Sequence, residues 1–154
     1  MNVLVIPIKP VFAYRIFTGR KKYDLRKLSK NGVPVKTGDR AVLYVTGSVK
    51  AFMGEYTVGN VIVGTPEYIV KTLLRSPGSG VGEEDFNYIK GAERALAMEV
   101  LMPVVYRKPV DMRDVLRIFP DYRPPLGIQK LDEYEPVVVL VFNKARGLTA
   151  QPRA

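Results

Sequence analysis

Short segments of alternating or continuous apolar residues, separated by turn residues, make up most of this chain. Period-two alternation and β-branched enrichment predict six strands: Asn2 to Ile8, Lys22 to Leu28, Ala41 to Thr46, Ala51 to Gly64, Ala95 to Tyr106 and Pro136 to Phe142. Gly54 and Gly59 predict bulges or bends in the long fourth strand, and Pro103 predicts a bulge or an edge position in the fifth. The dense Val run after Pro136 predicts a buried final strand.

Four segments have helical signals at their ends. They are Pro10 to Gly19, Thr65 to Arg75 with Thr65 as N-cap and Pro66 at the first position, Glu83 to Lys90, and Asp111 to Phe119. The segment from Ser76 to Gly82, rich in Gly and Ser, predicts a mobile loop. Strands outnumber helices, so the predicted fold class is α+β: a small, mostly antiparallel β-barrel with short helices packed at its openings.

Composition limits both size and chemistry. One domain with a real core is expected from 154 residues that are 47% hydrophobic. The chain has no His and no Cys, which excludes Ser-His-Asp and Cys-His nucleophiles, disulfides, thiol redox centres and the usual zinc sites. A metal would need clustered oxygen ligands, and the sequence shows no such cluster. We therefore expect no cofactor and no metal.

The apolar segments are too short for the bilayer. The stretch from Pro136 to Phe142 is far below the ~18–20 residues of a membrane-spanning helix, and the first ten residues lack the features of a secretory signal. We expect a cytoplasmic protein that does not engage a membrane. The sequence leaves its oligomeric state open.

Positive charge is concentrated near the N-terminus. The net charge is +9. From Lys9 to Arg40 there are ten basic residues against Asp24 and Asp39, a net charge of +8 for that segment. Interleaved aromatic residues suit a phosphate-bearing partner, because cations neutralise the backbone while rings stack on bases. The alternative is a solvated basic surface.

The octad from Gly19 to Arg26 reads G-x-K-x-x-D-x-R and follows the first predicted helix. It resembles the hallmark G-x-K-x-x-E-x-R of ASCH domains, in the PUA-like superfamily. Ile8-Lys9-Pro10 and Phe12-Ala13-Tyr14 fit the family's preceding strand and helix, and the chain is similar to archaeal PUA-like proteins of this length.

The resemblance implies a PUA-like β-barrel with a basic cleft beside the first helix, in a superfamily associated with RNA or modified nucleotides. It covers Val5 to Arg26 well and is absent from Ser76 to Gln129. It predicts one domain over residues 1–143, with an elaboration at about residues 76–129 and a basic, flexible tail over residues 144–154. The family's Glu is replaced by Asp24, which shortens the carboxylate's reach by one methylene.

Each motif residue has a physical role to fill. Gly19 permits positive φ at the helix end, and Lys21 offers a point charge to phosphate. Asp24 and Arg26 share a strand face. Arg26 suits a two-pronged contact with phosphate, and Asp24 suits the amino group of a base. Alternatively, the two simply form an ion pair that supports the barrel.

The leading hypothesis is a non-enzymatic module that binds RNA or a modified nucleotide. Its predicted contact residues are Lys9, Tyr14, Arg20, Lys21, Lys22, Asp24, Arg26, Tyr44, Ser48 and Lys50. Phe52, Glu55, Arg123 and Gln129 are weaker candidates.

Two alternatives belong to other classes. ASCH-like amidohydrolases remove an acyl group from a modified cytidine without a metal, and this resemblance would give Lys21 and Asp24 catalytic roles. The Thr that these amidohydrolases have at the position of Asp24 is missing here. They also use a distant Glu, and Glu55, Glu67 and Glu99 are all candidates for it. A DNA-binding accessory protein is the third hypothesis, although no helix-turn-helix is evident.

Overall fold

A computed structural model describes residues 2–29 and 35–147 of the chain. In this part of the chain there are six strands and five helices. In order they are β1 (Asn2–Ile8), α1 (Pro10–Phe17), β2 (Tyr23–Lys27), β3 (Arg40–Val45), β4 (Ala51–Gly64), α2 (Pro66–Leu74), α3 (Glu83–Ile89), β5 (Ala95–Asp111), α4 (Met112–Ile118), β6 (Gln129–Asp132) and α5 (Pro136–Ala145). The first five predicted strands and all four predicted helices are confirmed.

The strands form one sheet in the order β2-β5-β4-β3-β1-β6. β1 and β3 run parallel, with Ile8 opposite Val45, and the other neighbours are antiparallel. The α+β class is confirmed. Among the described residues, however, the sheet is not closed into a barrel, because its edge strands β2 and β6 do not pair with each other.

The two long strands bend where their pairing slips. The β4–β5 register shifts between Phe52 and Gly54 and again between Val58 and Val61, which confirms the bulges predicted near Gly54 and Gly59. At Gly54 the ring of Phe17 occupies the space that a Cβ would need. The absence of a side chain at Gly54 therefore lets Phe17 of α1 pack directly against the sheet.

Apolar side chains form three clusters. The first lies between α1 and strands β1, β3, β4 and β5, and it contains Leu4, Ile6, Ile16, Leu43, Tyr56 and Met98. The second packs α4 and α5 against the sheet through Val3, Phe52, Val115 and Val141, among others. The third joins Leu25 of β2 to Ile69, Leu73 and Ile89 of α2 and α3. Strand alternation places neighbouring residues of β1 in different clusters.

The predicted final strand from Pro136 to Phe142 is wrong, because this segment is the helix α5. Pro136 occupies the first helical turn, a favoured position for proline. The buried residues Val138, Val141, Phe142 and Ala145 have the i, i+3, i+4, i+7 spacing of one helix face. Packing of that face against the second cluster overrides the β propensity of the valines.

The C-terminal part of the chain differs from expectation in two further ways. β6 was not predicted, and it pairs antiparallel with β1 through a short segment with little local signal. α5 continues to Ala145, two residues into the predicted tail. Residues 148–154 of that tail lie outside the described residues.

None of the helices in residues 2–29 and 35–147 has the length and apolar character that a bilayer crossing requires.

Candidate functional site

A cleft of about 170 Å³ lies where β1, α1, β2 and α3 meet. It is lined by Pro7, Ile8, Lys9, Phe12, Lys21, Asp24, Leu25, Arg26, Thr46, Asp85, Tyr88 and Leu126. We call it the Lys21 cleft. Gly19, with φ +76°, ends α1 and redirects the chain so that Lys21, Asp24 and Arg26 follow on the cleft wall.

Asp24 and Arg26 form the first charged pair of the cleft. Arg26 Nε lies 2.9 Å from Asp24 Oδ1, and Arg26 Nη2 lies 3.2 Å from Oδ2. Tyr56 donates its hydroxyl hydrogen to Asp24 Oδ2 at 3.0 Å, and Arg26 Nη1 donates to the Pro7 carbonyl. Asp24 is 1% exposed. The pair is therefore buried and bound to its surroundings from both sides.

Burial and charge set the protonation of these groups. Burial alone would lower the pKa of Arg26, but the charge and hydrogen bonds of Asp24 more than offset it, and that pKa is raised. The pKa of Tyr56 is raised well above its usual value by burial and then by the negative charge of Asp24. Tyr56 thus remains a neutral donor at physiological pH.

Lys21 and Asp85 form the second pair. Lys21 Nζ lies 2.5 Å from Asp85 Oδ1, with Lys21 3% and Asp85 1% exposed. The ammonium group also lies 4.3 Å from the ring centroid of Phe12, a cation–π distance. Arg15 Nη1 reaches the other carboxylate oxygen at 3.4 Å. Asp85 therefore accepts from two cations within one buried site.

The glycine-rich segment from Ser76 to Gly82 holds Asp85 in place. Gly82 N donates to Asp85 Oδ2 at 2.9 Å, and Arg15 Nη2 donates to the Gly80 carbonyl at 2.7 Å. Lys22 N donates to the Ser79 carbonyl at 2.8 Å. The segment predicted as a mobile loop is thus bound to Asp85 of α3, to Arg15 of α1 and to Lys22 of the motif.

Four of the predicted contact residues meet in the Lys21 cleft: Lys9, Lys21, Asp24 and Arg26. Lys9 is exposed and makes no ion pair among the described residues, in contrast to Lys21 and Arg26. The cleft combines three cations with two carboxylates, so its net charge is small. Its unpaired positive charge lies on Lys9.

The other predicted contact residues lie elsewhere. Tyr14, Arg20 and Lys22 do not line the cleft, and Arg20 lies 6.0 Å from the ring centroid of exposed Tyr14. Tyr44, Ser48 and Lys50 line a separate concavity of about 660 Å³, together with Arg113 and Pro124. Phe52 is a core residue whose ring centroid lies 5.3 Å from that of Tyr44. These four candidates therefore do not line the Lys21 cleft.

The weaker polar candidates bind other protein residues outside the Lys21 cleft. Gln129 donates to the Arg123 carbonyl at 3.0 Å and accepts from Tyr122 at 2.8 Å, which is a loop-capping arrangement. Glu55 is buried against Tyr106, Arg40 and Arg146. Glu67 lies in the first turn of α2, and Glu99 accepts from Asn60 N. None of the three glutamates lines the Lys21 cleft.

The sequence analysis missed two polar residues that line the cleft, Asp85 and Tyr88, and it also missed Tyr56, which does not line the cleft but donates to Asp24. Asp85 is at position N3 of α3, so the sequence suggests only a helix-start role for it. Within residues 2–29 and 35–147, no group of three or more acidic side chains could hold a metal ion.

The fold is shared with solved structures of ASCH proteins. The crystal structure of ASCH from Zymomonas mobilis is 22% identical and aligns with a TM-score of 0.71, covering 90% of this chain and 93% of the other. A mutant of that Zymomonas mobilis protein aligns with the same TM-score of 0.71, at 21% identity over 90% and 92% of the two chains. An NMR structure of a Rhodopseudomonas palustris protein aligns with a TM-score of 0.54 at 15% identity, covering 100% and 99%. No protein-family model and no curated protein matches the chain.

Proposed function

Since this chain has the fold of ASCH domain proteins of the PUA-like superfamily, we propose that it is a non-enzymatic module that binds RNA or a modified nucleotide in the Lys21 cleft. One observation carries the proposal. A single cleft brings together an unpaired lysine, two buried ion pairs and the rings of Phe12 and Tyr88. Aromatic faces beside cations suit a base and its phosphate.

The size of the cleft suits one nucleotide unit. Its volume of about 170 Å³ is below the ~300–1,000 Å³ of sites for drug-sized ligands. A base with part of its sugar is the largest component of RNA that such a cleft would enclose. The module would therefore take one unstacked base, with the remaining strand outside.

The charge distribution orients that unit. Lys21 and Arg26 already bind carboxylates, so they offer hydrogen bonds to a neutral base edge more readily than charge to a phosphate. Lys9 is exposed and unpaired within the described residues, which makes it the cation for the phosphate. Tyr14, Arg20 and Lys22 would then contact the strand outside the cleft. Tyr44, Ser48 and Lys50 would do so at the neighbouring concavity.

Lys9 offers the sharper test, because replacing Lys21 or Arg26 would remove the cation that lies nearest to a buried carboxylate. We would measure binding of nucleoside monophosphates and of a short single-stranded RNA at ~50 and ~200 mM salt. Affinity should fall as salt rises, and Lys9→Gln should weaken binding about tenfold at the lower salt. Lys71→Gln, which removes an exposed cation from α2, is the control. Equal affinities for both variants and the unmodified protein would contradict the proposal.

A second candidate function is an amidohydrolase acting on an acylated cytidine nucleoside. The observation that favours it is the buried Lys21–Asp85 pair at 2.5 Å, since phosphate binding needs no such burial. In this hypothesis Asp85 supplies the carboxylate that Glu55, Glu67 and Glu99 do not and takes a proton from the attacking water, while the Lys21 ammonium polarises the acyl carbonyl and the amine of cytidine leaves with a proton. Asp24 stands at the position where the ASCH-like amidohydrolases have a Thr, and it is held by Arg26 and Tyr56.

Incubation with N4-acylated cytidine separates the two candidates. Release of the acyl acid, abolished in Lys21→Met combined with Asp85→Leu, would favour the enzyme. This double variant removes the Lys21 ammonium and the Asp85 carboxylate together, so neither is buried without the other, and Arg15 keeps Glu84 at 3.9 Å as a carboxylate partner. Binding of the nucleotide without turnover would favour the module.

A further inference from the structure

A third concavity shares no lining residue with the Lys21 cleft or with the concavity of Tyr44, Ser48 and Lys50. It is lined by Arg107, Lys108 and Pro109 of β5, Asp114 of α4, and Lys144, Ala145, Arg146 and Gly147 at the end of α5. Its volume is about 740 Å³. We call it the Arg107 concavity.

Positive charge dominates this concavity. Four of its eight lining residues are cationic, and its one acidic residue, Asp114, already pairs with Arg117 at 3.4 Å. Arg107 and Lys108 are exposed. Within residues 2–29 and 35–147, no ion pair is formed by Arg107, Lys108 or Lys144. Their charge is therefore available to an anionic partner.

Arg146 is held in position at this concavity by a buried carboxylate. Its Nη2 donates to Glu55 Oε1 at 2.7 Å, and its guanidinium lies 3.7 Å from the ring centroid of Phe142. Glu55 is 5% exposed and also contacts Arg40 at 3.5 Å and the Tyr106 hydroxyl at 2.5 Å. One carboxylate thus holds two arginines, which leaves the local charge positive and fixes one guanidinium at the rim.

We infer that the Arg107 concavity is a further RNA-contacting surface, which binds the phosphate backbone without reading bases. The inference takes from the proposed function only that the partner is RNA. Among the described residues, no aromatic side chain lines the concavity, so bases have no ring there on which to stack. Cations alone neutralise phosphates and bind them independently of sequence.

The shape and lining favour a strand over a membrane. A membrane-binding surface presents Trp, Phe or Leu for insertion beside its basic residues. Within residues 2–29 and 35–147, the lining residues without a polar side chain are Pro109, Ala145 and Gly147. A wide concave surface with cations from β5 and α5 instead surrounds an extended polyanion.

The test compares two variants of equal charge in the full chain. Arg107→Gln with Lys108→Gln removes two cations from the concavity, while Lys71→Gln with Arg75→Gln removes two exposed cations from the end of α2. Binding of a single-stranded RNA of about 16 nucleotides is measured across a salt series. The first variant should bind about tenfold more weakly, and its salt slope should be less steep by ~0.7 for each phosphate that is no longer neutralised. The second should match the unmodified protein.

A nucleoside monophosphate distinguishes this inference from the proposed function. It should bind the first variant as it binds the unmodified protein, because it occupies the Lys21 cleft. If the mononucleotide fails to bind but the RNA still loses affinity in the first variant, the cleft proposal fails and this inference stands. Equal RNA binding by the two variants overturns the inference. The inference is also overturned if Arg107→Gln with Lys108→Gln loses binding to phosphatidylserine vesicles while its RNA binding is unchanged.

Discussion

Lys21 Nζ lies 2.5 Å from Asp85 Oδ1, although the two residues are 64 positions apart in the sequence. Both side chains are almost fully buried, and both line the same cleft. The motif lysine is therefore not a free surface cation. Its charge is balanced by Asp85 of α3, which lies outside the motif.

Removing the carboxylate of Asp85 should destabilise the fold strongly. Asp85→Asn leaves Lys21 buried without a counter-charge, and we expect a loss of ~3–5 kcal/mol in the free energy of unfolding. Urea denaturation would measure it. Glu84→Gln is the matched control, because Glu84 is largely exposed and its ion pair with Arg15 is long, at 3.9 Å. Its effect on the free energy of unfolding should stay within ~0.5 kcal/mol. Similar stabilities for the two variants would mean that the ion pair does not support the fold.

Restoring the glutamate of the ASCH hallmark at Asp24 should not stabilise this protein. The carboxylate of Asp24 is bound by Arg26 and by Tyr56 at 3.0 Å in a buried position. One added methylene in Asp24→Glu overpacks the site, at an expected cost of ~1–3 kcal/mol. Asp24→Asn should cost more, ~3–5 kcal/mol, because Arg26 loses its counter-charge. Denaturation curves of the two variants give the order, and a stabilising Asp24→Glu would refute this account.

Two glycines of the segment from Ser76 to Gly82 provide a test of its packing. Gly78 and Gly80 both have positive φ, +75° and +71°, so alanine at either should cost ~1–2 kcal/mol through the backbone alone. A Cβ at Gly80 would also overlap the Arg20 carbonyl, whereas one at Gly78 meets nothing within 4 Å. Gly80→Ala should therefore lower the melting temperature clearly more than Gly78→Ala. Equal losses would show that this segment is not packed against the motif.

Stability should fall at alkaline pH. Burial, with the charge of a neighbouring tyrosine as a second cause, raises the pKa of Tyr122 from 10.0 to about 12. In the unfolded chain this hydroxyl ionises near pH 10, so its contribution is complete below pH 10 and is lost as the pH rises to about 12. Tyr56 has a raised pKa with the same sign.

Tyr122→Phe should flatten the decline in the free energy of unfolding between pH 10 and about 12. At neutral pH it should cost ~0.5–1.5 kcal/mol for the hydrogen bond to Gln129. Tyr134→Phe, at a position that is 80% exposed, should leave the pH profile unchanged. If both variants decline with the same slope, Tyr122 does not contribute to alkaline unfolding.

Local patterns sufficed for the N-terminal unit. Pro10 at the start of α1, Gly19 after its end and the alternation of β2 specified the path of the chain. They also placed Asp24 and Arg26 on one strand face, where they bond at 2.9 Å. These features depend on residues only a few positions apart, and backbone sterics and period-two geometry determine them.

Long-range packing decided the rest. The valines of α5 have β propensity, but burial of one helix face made the segment helical. The pairing of β6 with β1 and the open order of the sheet depend on contacts between distant segments. The sequence by itself determined the motif and its charge. Only the tertiary structure paired Lys21 with Asp85 and placed Tyr44 and Lys50 in another concavity, because burial and ion pairing between distant residues have no local signal.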